Sequence, residues 1–158
     1  VECDISNFPH DYKGLSYNHV VLNPPFFNSH SSMRSTRSDE DLAKRESSLS
    51  LDDWIDVAIR RCAIKGEVVI IHQAERLDQI LKNISTRLGN IRILPITSFS
   101  GENAKRIIVK GKKGSASPLK ILAPLIVHEG RRADKVKKKY STKVEEILRN
   151  GVCLDWGK

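Results

Sequence analysis

The order of elements in this sequence predicts an α/β fold, the later half of a doubly wound sheet. Three observations predict it. Strand-sized apolar runs alternate with segments whose apolar residues recur at helical spacing. One run, Val68-Val69-Ile70-Ile71, is apolar without alternation, the pattern of a parallel strand covered on both faces. The last third then turns to strands alone, so the sheet is expected to be mixed, with helices on both faces and antiparallel strands at its C-terminal edge.

Residues 1–5 read as the end of a strand, with Asp4 where it stops. The chain opens on Val-Glu-Cys-Asp-Ile and is expected to begin inside a fold. Pro9, Asp11 and Gly14 mark a loop, and residues 17–22 a short strand with Val20 and Val21 near its end. Residues 28–48 are rich in serine and charge without apolar periodicity, which predicts a long mobile loop. Ser50 can cap a helix whose first turn carries Asp52 and Asp53. Its apolar residues are Leu51, Ile55, Ala58, Ile59 and Cys62, and Gly66 is expected to stop it. A second helix is expected over about 75–88, with Gly89 as terminator, then a strand over 91–97 that Pro95 places near a sheet edge. A strand over 105–110 is expected to turn through Gly111-Lys112-Lys113-Gly114, an exposed basic turn, into another over 119–127. A last helix over about 142–150 starts at Thr142 with Glu145 as a capping box and ends at Gly151. By composition and charge, residues 1–130 form one domain unit and residues 131–158 a basic tail with a terminal helix.

The chain's 158 residues allow one domain with a real core. No apolar run approaches the roughly 20 residues of a membrane helix. The three cysteines are far apart, and the five histidines form no H-x-x-x-H pair. Reduced thiols, no metal and a cytoplasmic location are therefore expected. The net charge is +8 and is segregated: residues 104–143 hold 13 Lys and Arg against Glu129 and Asp134, while the remainder holds 14 against 17 carboxylates. A localised basic stretch points to a polyanion, most simply nucleic acid. A solvated basic tail is the plainer reading of residues 131–139.

Asn23-Pro24-Pro25-Phe26 closes the strand at 17–22. Read as chemistry, these residues make a rigid platform with amide and carbonyl acceptors and a flat apolar face, suited to an amino group on a flat ring. Read as structure, Asn-Pro-Pro after a strand is a turn. The tetrapeptide resembles the Asn-Pro-Pro-aromatic motif of S-adenosylmethionine-dependent amino-methyltransferases. The likeness continues through Ala43-Lys44-Arg45-Glu46, Leu51-Asp52-Asp53, Gly66, the stretch from His72 to Leu77, Gly101-Glu102-Asn103-Ala104, the stretch from Pro118 to Val127, and Tyr140-Ser141-Thr142. Over nearly its whole length the chain resembles the bacterial tRNA1(Val) adenine-N6 methyltransferase family.

The resemblance implies the C-terminal half of a Rossmann-like class I methyltransferase sheet, and a function in N6-methylation of an adenine in tRNA. Asn23, Pro24, Pro25 and Phe26 would be catalytic, and Asp4 and Ile5 would contact the cofactor S-adenosylmethionine. The chain contains no G-x-G, so the main cofactor loop of such enzymes has no counterpart, and this chain alone is expected to be inactive. Arg34, Arg37, Lys44, Arg45, Lys105, Arg106, Lys112 and Lys113 are the expected RNA contacts. Methylation of a glutamine amide in a protein and a catalytically incompetent RNA-binding module are the alternatives. His72 and Trp54 read as core residues. The motif strand, lacking its usual neighbour, is expected to leave an open sheet edge through which copies self-associate.

Overall fold

The computed structural model describes residue 12 and residues 14–25, 49–130 and 139–157. The expected strand at 1–5 and loop at 28–48 lie outside these residues. In chain order the elements are β1 (Tyr17–Leu22), α1 (Leu51–Arg61), β2 (Cys62–Gln73), a 3-10 turn (Ala74–Arg76), α2 (Leu77–Ile84), β3 (Leu88–Thr97), β4 (Arg106–Lys113), β5 (Lys120–Ile121), β6 (Leu125–Ile126) and α3 (Thr142–Asn150). The sheet order is β1-β2-β4-β3-β5, and β6 also pairs with β3. β1 runs parallel to β2, and β5 and β6 run parallel to β3. β4 is antiparallel to both neighbours, β2 and β3. The sheet is mixed α/β as expected, but its antiparallel strand is the central β4, and the strands at the C-terminal edge, β5 and β6, run parallel to β3 rather than antiparallel as expected.

Alternation decides which face is buried. Val68 and Ile70 of β2, Ile107 and Val109 of β4, and Ile93 of β3 form one core with Ile55, Ala58, Ile59, Ile80 and Ile84 of the two helices. Trp54 packs against this core, as expected. Gln79 and Asn83 of α2 both donate to the Asp52 carboxylate of α1 at 2.8 Å, and Arg87 pairs with Asp56 at 2.7 Å, which locks the helices side by side.

The start of α1 follows its sequence. Ser50 Oγ accepts from the Asp53 amide, and the Asp53 carboxylate accepts from the Ser50 amide, a reciprocal capping box. Its end does not. The helix stops at Arg61, and Cys62, in extended conformation, opens β2 directly. Gly66 lies within β2. Tyr17 pairs with Cys62 but His19 pairs with Glu67, so the strand bulges between them, with Lys65 at φ 66°. A Cβ at Gly66 would stand 2.9 Å from the carbonyl oxygens of Ala63 and Asn18 and from Cys62 Sγ. Close approach of β1, not helix termination, requires glycine there.

The second helix is likewise shorter than its periodicity implies. Leu88 fits the helical stripe, yet it is buried as the first residue of β3, opposite Lys113. Gly89 is inside β3, and a Cβ on it would overlap the Ser115 carbonyl. Gly111, Lys112 and Lys113 form no exposed turn: they continue β4, because their partners Val68, Glu67 and Leu88 extend the ladders to that point. The strand expected over 119–127 is instead two short pairs, β5 and β6, with Pro124 between them and no amide there to continue a ladder. Pro95 is near the edge in this sense: it falls between the β5 and β6 contacts of β3. α3 has its expected span, but Ser141 is its cap, accepting from the Val144 amide. Gly151 closes it at φ 65°.

Candidate functional site

β1, β2, β3 and β6 all point the same way, because β4 reverses direction twice over between β2 and β3. Their carboxyl ends therefore share one edge. Asn23-Pro24-Pro25 follows β1, His72-Gln73 ends β2, and Thr97 ends β3. β4 begins here, and the Ala74 amide donates to the Lys105 carbonyl at 3.1 Å, tying the end of β2 to the start of β4.

The last pair of β1 and β2 is Leu22 with Ile70, so β2 continues for three residues beyond β1. The Asn-Pro-Pro segment sits in the shelf this leaves. Pro24 is fully buried, while Asn23 and Pro25 are exposed. A buried ring with fixed φ anchors the turn in the core, and neither proline has an amide to compete for an acceptor. The exposed Asn23 amide is the acceptor the segment offers to solvent, while the Pro24 carbonyl belongs to an enclosed residue.

His72 is the imidazole nearest this shelf in the ladder, two residues beyond the Leu22 partner. It is 3% exposed and lies on the core face with Ile70. Burial pushes its pKa below the ordinary histidine value, and the guanidinium groups of Arg76 and Arg106 add to that. A neutral, enclosed imidazole is a packing residue, in keeping with its reading from sequence.

Asp4, Ile5, Phe26, Arg34, Arg37, Lys44 and Arg45 lie outside the described residues. Of the remaining expected RNA contacts, Lys105 is exposed and Arg106 half-buried, both at the carboxyl edge. Lys112 and Lys113 end β4 at the opposite edge. The structure separates them from Asn23, correcting the exposed turn in which they were expected. Lys113 is turned inward, and its ammonium donates to the carbonyls of Ile59 and Cys62, each at 2.7 Å. On the face away from α1 and α2, Lys110 lies 3.5 Å from the Glu67 carboxylate and 4.6 Å from the Trp156 ring centroid. Part of the basic segment is thus internal structure.

One group at the edge had no signal in the sequence. The Val127 amide donates to Thr97 and the His128 amide to Ser98, both at 2.9 Å, so the chain leaves β6 alongside the end of β3. It returns through an antiparallel bridge between His128 and Tyr140, with the Glu129 amide donating to Lys139 and the Ser141 amide to Val127. The His128 ring stacks on Tyr140 at 5.4 Å and 13°, and its other contact is Phe99 at 5.4 Å and 39°. Residues 99, 128 and 140 are too far apart in sequence for any local pattern to join them.

Among the described residues no three His, Cys, Asp or Glu side chains converge as a metal site, and no helix is long and apolar enough to cross a membrane. No family model matches the chain, and no curated protein matches it. Among solved structures, it is similar to the crystal structure of a predicted O-methyltransferase from Agrobacterium tumefaciens, with a TM-score of 0.66 and 26% identity. The match covers 96% of this chain and 62% of the other, so the chain spans less than two thirds of that protein's length. The chain has a methyltransferase fold.

Proposed function

We propose that this chain is the substrate-facing part of an S-adenosylmethionine-dependent N-methyltransferase acting on N6 of an adenine in RNA, a tRNA by the resemblance of its motifs. The observation that supports this best is the Asn23-Pro24-Pro25 shelf: a turn pinned by one buried proline, with hydrogen-bond acceptors at the carboxyl edge of a methyltransferase sheet. An exocyclic amine is a weak nucleophile because its lone pair is delocalised into the ring. Acceptors at the Asn23 amide oxygen and the Pro24 carbonyl take its two N–H groups and favour a tetrahedral nitrogen with a free lone pair. Positioning carries this step, and no strong base is required. The adenine has to be unstacked to reach the shelf.

The cofactor would supply an activated sulfonium methyl. The described residues fit the amine-receiving side, whereas Asp4 and Ile5 lie outside them and the chain has no G-x-G. The chain's own contribution to the reaction is therefore to receive and orient the amine.

The similar structure's description favours a second reading, methylation of a hydroxyl. A hydroxyl must lose its proton before or during attack, which calls for a base. The imidazole beside the shelf, His72, is enclosed on the core face. That observation favours the amine.

The test uses the complete enzyme with adenine-bearing RNA and analysis of the digested nucleosides. N6-methyladenosine is expected, and Asn23→Ala should lower its formation at least about a hundredfold, as removal of one positioned transition-state partner does elsewhere, with an unchanged melting temperature. Ribose-methylated product, or near-normal turnover by Asn23→Ala, would refute the assignment.

A further inference from the structure

We propose that the Phe99–His128–Tyr140 ring stack is a base-stacking platform for single-stranded RNA, a second contact site on the carboxyl edge that receives a nucleotide flanking the one in the Asn23 shelf. The proposal rests on the RNA reading above, although its test reads binding alone.

The first support is placement. From β1 to β6 the edge crosses four strand spacings of about 4.8 Å each, so the stack stands roughly 19 Å from the shelf on the same side of the sheet. That span suits a run of several nucleotides laid along one edge. A contact at the other edge, such as Lys112, could not share such a strand without crossing the sheet.

The second support is the form of the stack. Phe99 is buried at 5% exposure and forms the floor, His128 is half-buried above it, and Tyr140 is 43% exposed at the top. A nearly parallel stack that ends in a solvent-facing aromatic presents an apolar ring on a fixed base. The bridge between His128 and Tyr140, and the flanking bonds of Ser141 to Val127 and Glu129 to Lys139, hold it rigid. Bases stack on such rings with little regard to sequence.

Charge is the third support. The bridge clamps the two ends of the most basic run in the chain, Arg131-Arg132-Ala133-Asp134-Lys135-Val136-Lys137-Lys138-Lys139. Glu129 and Lys139, which flank that run, are thereby joined beside the ring stack, with the Lys139 ammonium 3.8 Å from the Glu129 carboxylate. Single-stranded nucleic acid is commonly met by rings that take its bases and by cations that take its phosphates, and the sequence supplies those cations in the same segment. An aromatic residue of a peptide could also lie on Tyr140, but a peptide would not account for the surplus of Lys and Arg over carboxylates in residues 104–143 of the sequence.

The experiment is fluorescence anisotropy of the full chain with a labelled oligoadenylate, and with an abasic oligomer of the same length and charge. The oligoadenylate is expected to bind roughly five- to a hundredfold more tightly than the abasic strand. Tyr140→Ala should remove most of that difference and leave the salt dependence unchanged, because no charge is lost. Tyr140→Phe should bind within about twofold of the wild type. Equal binding of the two oligomers by the unaltered chain would overturn the proposal without recourse to any variant. So would a Tyr140-dependent affinity for a glutamine-bearing peptide with none for the oligoadenylate. Absence of methyl transfer by the complete enzyme, with this binding pattern intact, would refute the proposed reaction and leave the platform standing.

Discussion

Replacement of Lys113 by Met tests the inward course of the side chain at the end of β4. The lysine stem would be kept and the ammonium removed. In the structure that ammonium donates to the carbonyls of Ile59 and Cys62 at the C-terminus of α1, each at 2.7 Å. The Ile59 carbonyl also accepts from the Cys62 amide, so it retains a partner. A hydrogen bond to a charged group is worth about 1.5–3 kcal/mol. A cation at a helix C-terminus adds about 0.3–1 kcal/mol. Lys113 is only half-buried, which screens part of this, so a net loss of about 2–3 kcal/mol is expected. For a chain of this size each kcal/mol lowers the melting temperature by about 2–4 °C, giving a fall of about 4–12 °C. Thermal unfolding followed by circular dichroism would measure it, and urea unfolding with an unchanged m value would show that stability alone has moved. A shift below about 1 °C, together with weakened binding to RNA and a shallower salt dependence, would mean that Lys113 faces phosphates and that the inward bonds do not form.

Two further predictions concern titration and reactivity. His72 has a folded pKa below its unfolded value, so between those two values the unfolded chain holds more protons. The stability associated with its burial is complete above about pH 6.5 and is lost as pH falls toward the folded pKa. The melting temperature of the wild type should therefore drop more between pH 7.5 and 5.5 than that of His72→Gln. An equal drop in both would show that the histidine is not the group responsible. Burial also raises the Cys62 thiol pKa, against the opposing charge of Lys113, and Cys153 is exposed. Cys153 should react with a thiol reagent at pH 8 in the native chain, and Cys62 only after unfolding, as mass spectrometry of the labelled peptides would show. Labelling of Cys62 at the rate of Cys153 would contradict its enclosure.

Where local chemistry decides structure, the sequence was legible. The Ser50–Asp53 box, the apolar spacing through Ile55 and Ile59 and the glycine stop at Gly151 each act within a turn, and each is found; the run Val68 to Ile71 is a strand, but with one parallel and one antiparallel neighbour and with Val69 and Ile71 only half-buried rather than covered on both faces. Misreadings arise where a distant partner outweighs the local signal. Gly66 and Gly89 look like helix stops but are sites of close backbone approach, to Asn18 and Ser115 respectively. Leu88 matches the stripe of α2 yet is claimed by the ladder with β4. Lys112 and Lys113 have a turn's composition, while Glu67 and Leu88 opposite hold them in a strand. The candidate site divides along the same line. That Asn23 to Pro25 ends a strand could be read locally; that Pro24 alone is buried depends on the core beneath it. The meeting of Phe99, His128 and Tyr140 depends on β6 docking against β3, which no window of sequence contains.

The position of β4 has a consequence for how this chain is made. β2 and β3 follow one another in synthesis, yet they never touch; β4, which emerges after both, lies between them. Until residues 106–113 leave the ribosome, β3 lacks its central neighbour, and its remaining partners, β5 and β6, come later still. Only the unit of β1, α1, β2 and α2 can assemble beforehand. Sheet closure is therefore a late and largely single event, in which a nascent chain holds the apolar faces of β2 and β3 open to water and to other chains. A chaperone that shields such surfaces would act in the interval between the synthesis of Gln73 and that of Lys113, and a truncation before Lys113 would expose those strands rather than yield a smaller stable protein.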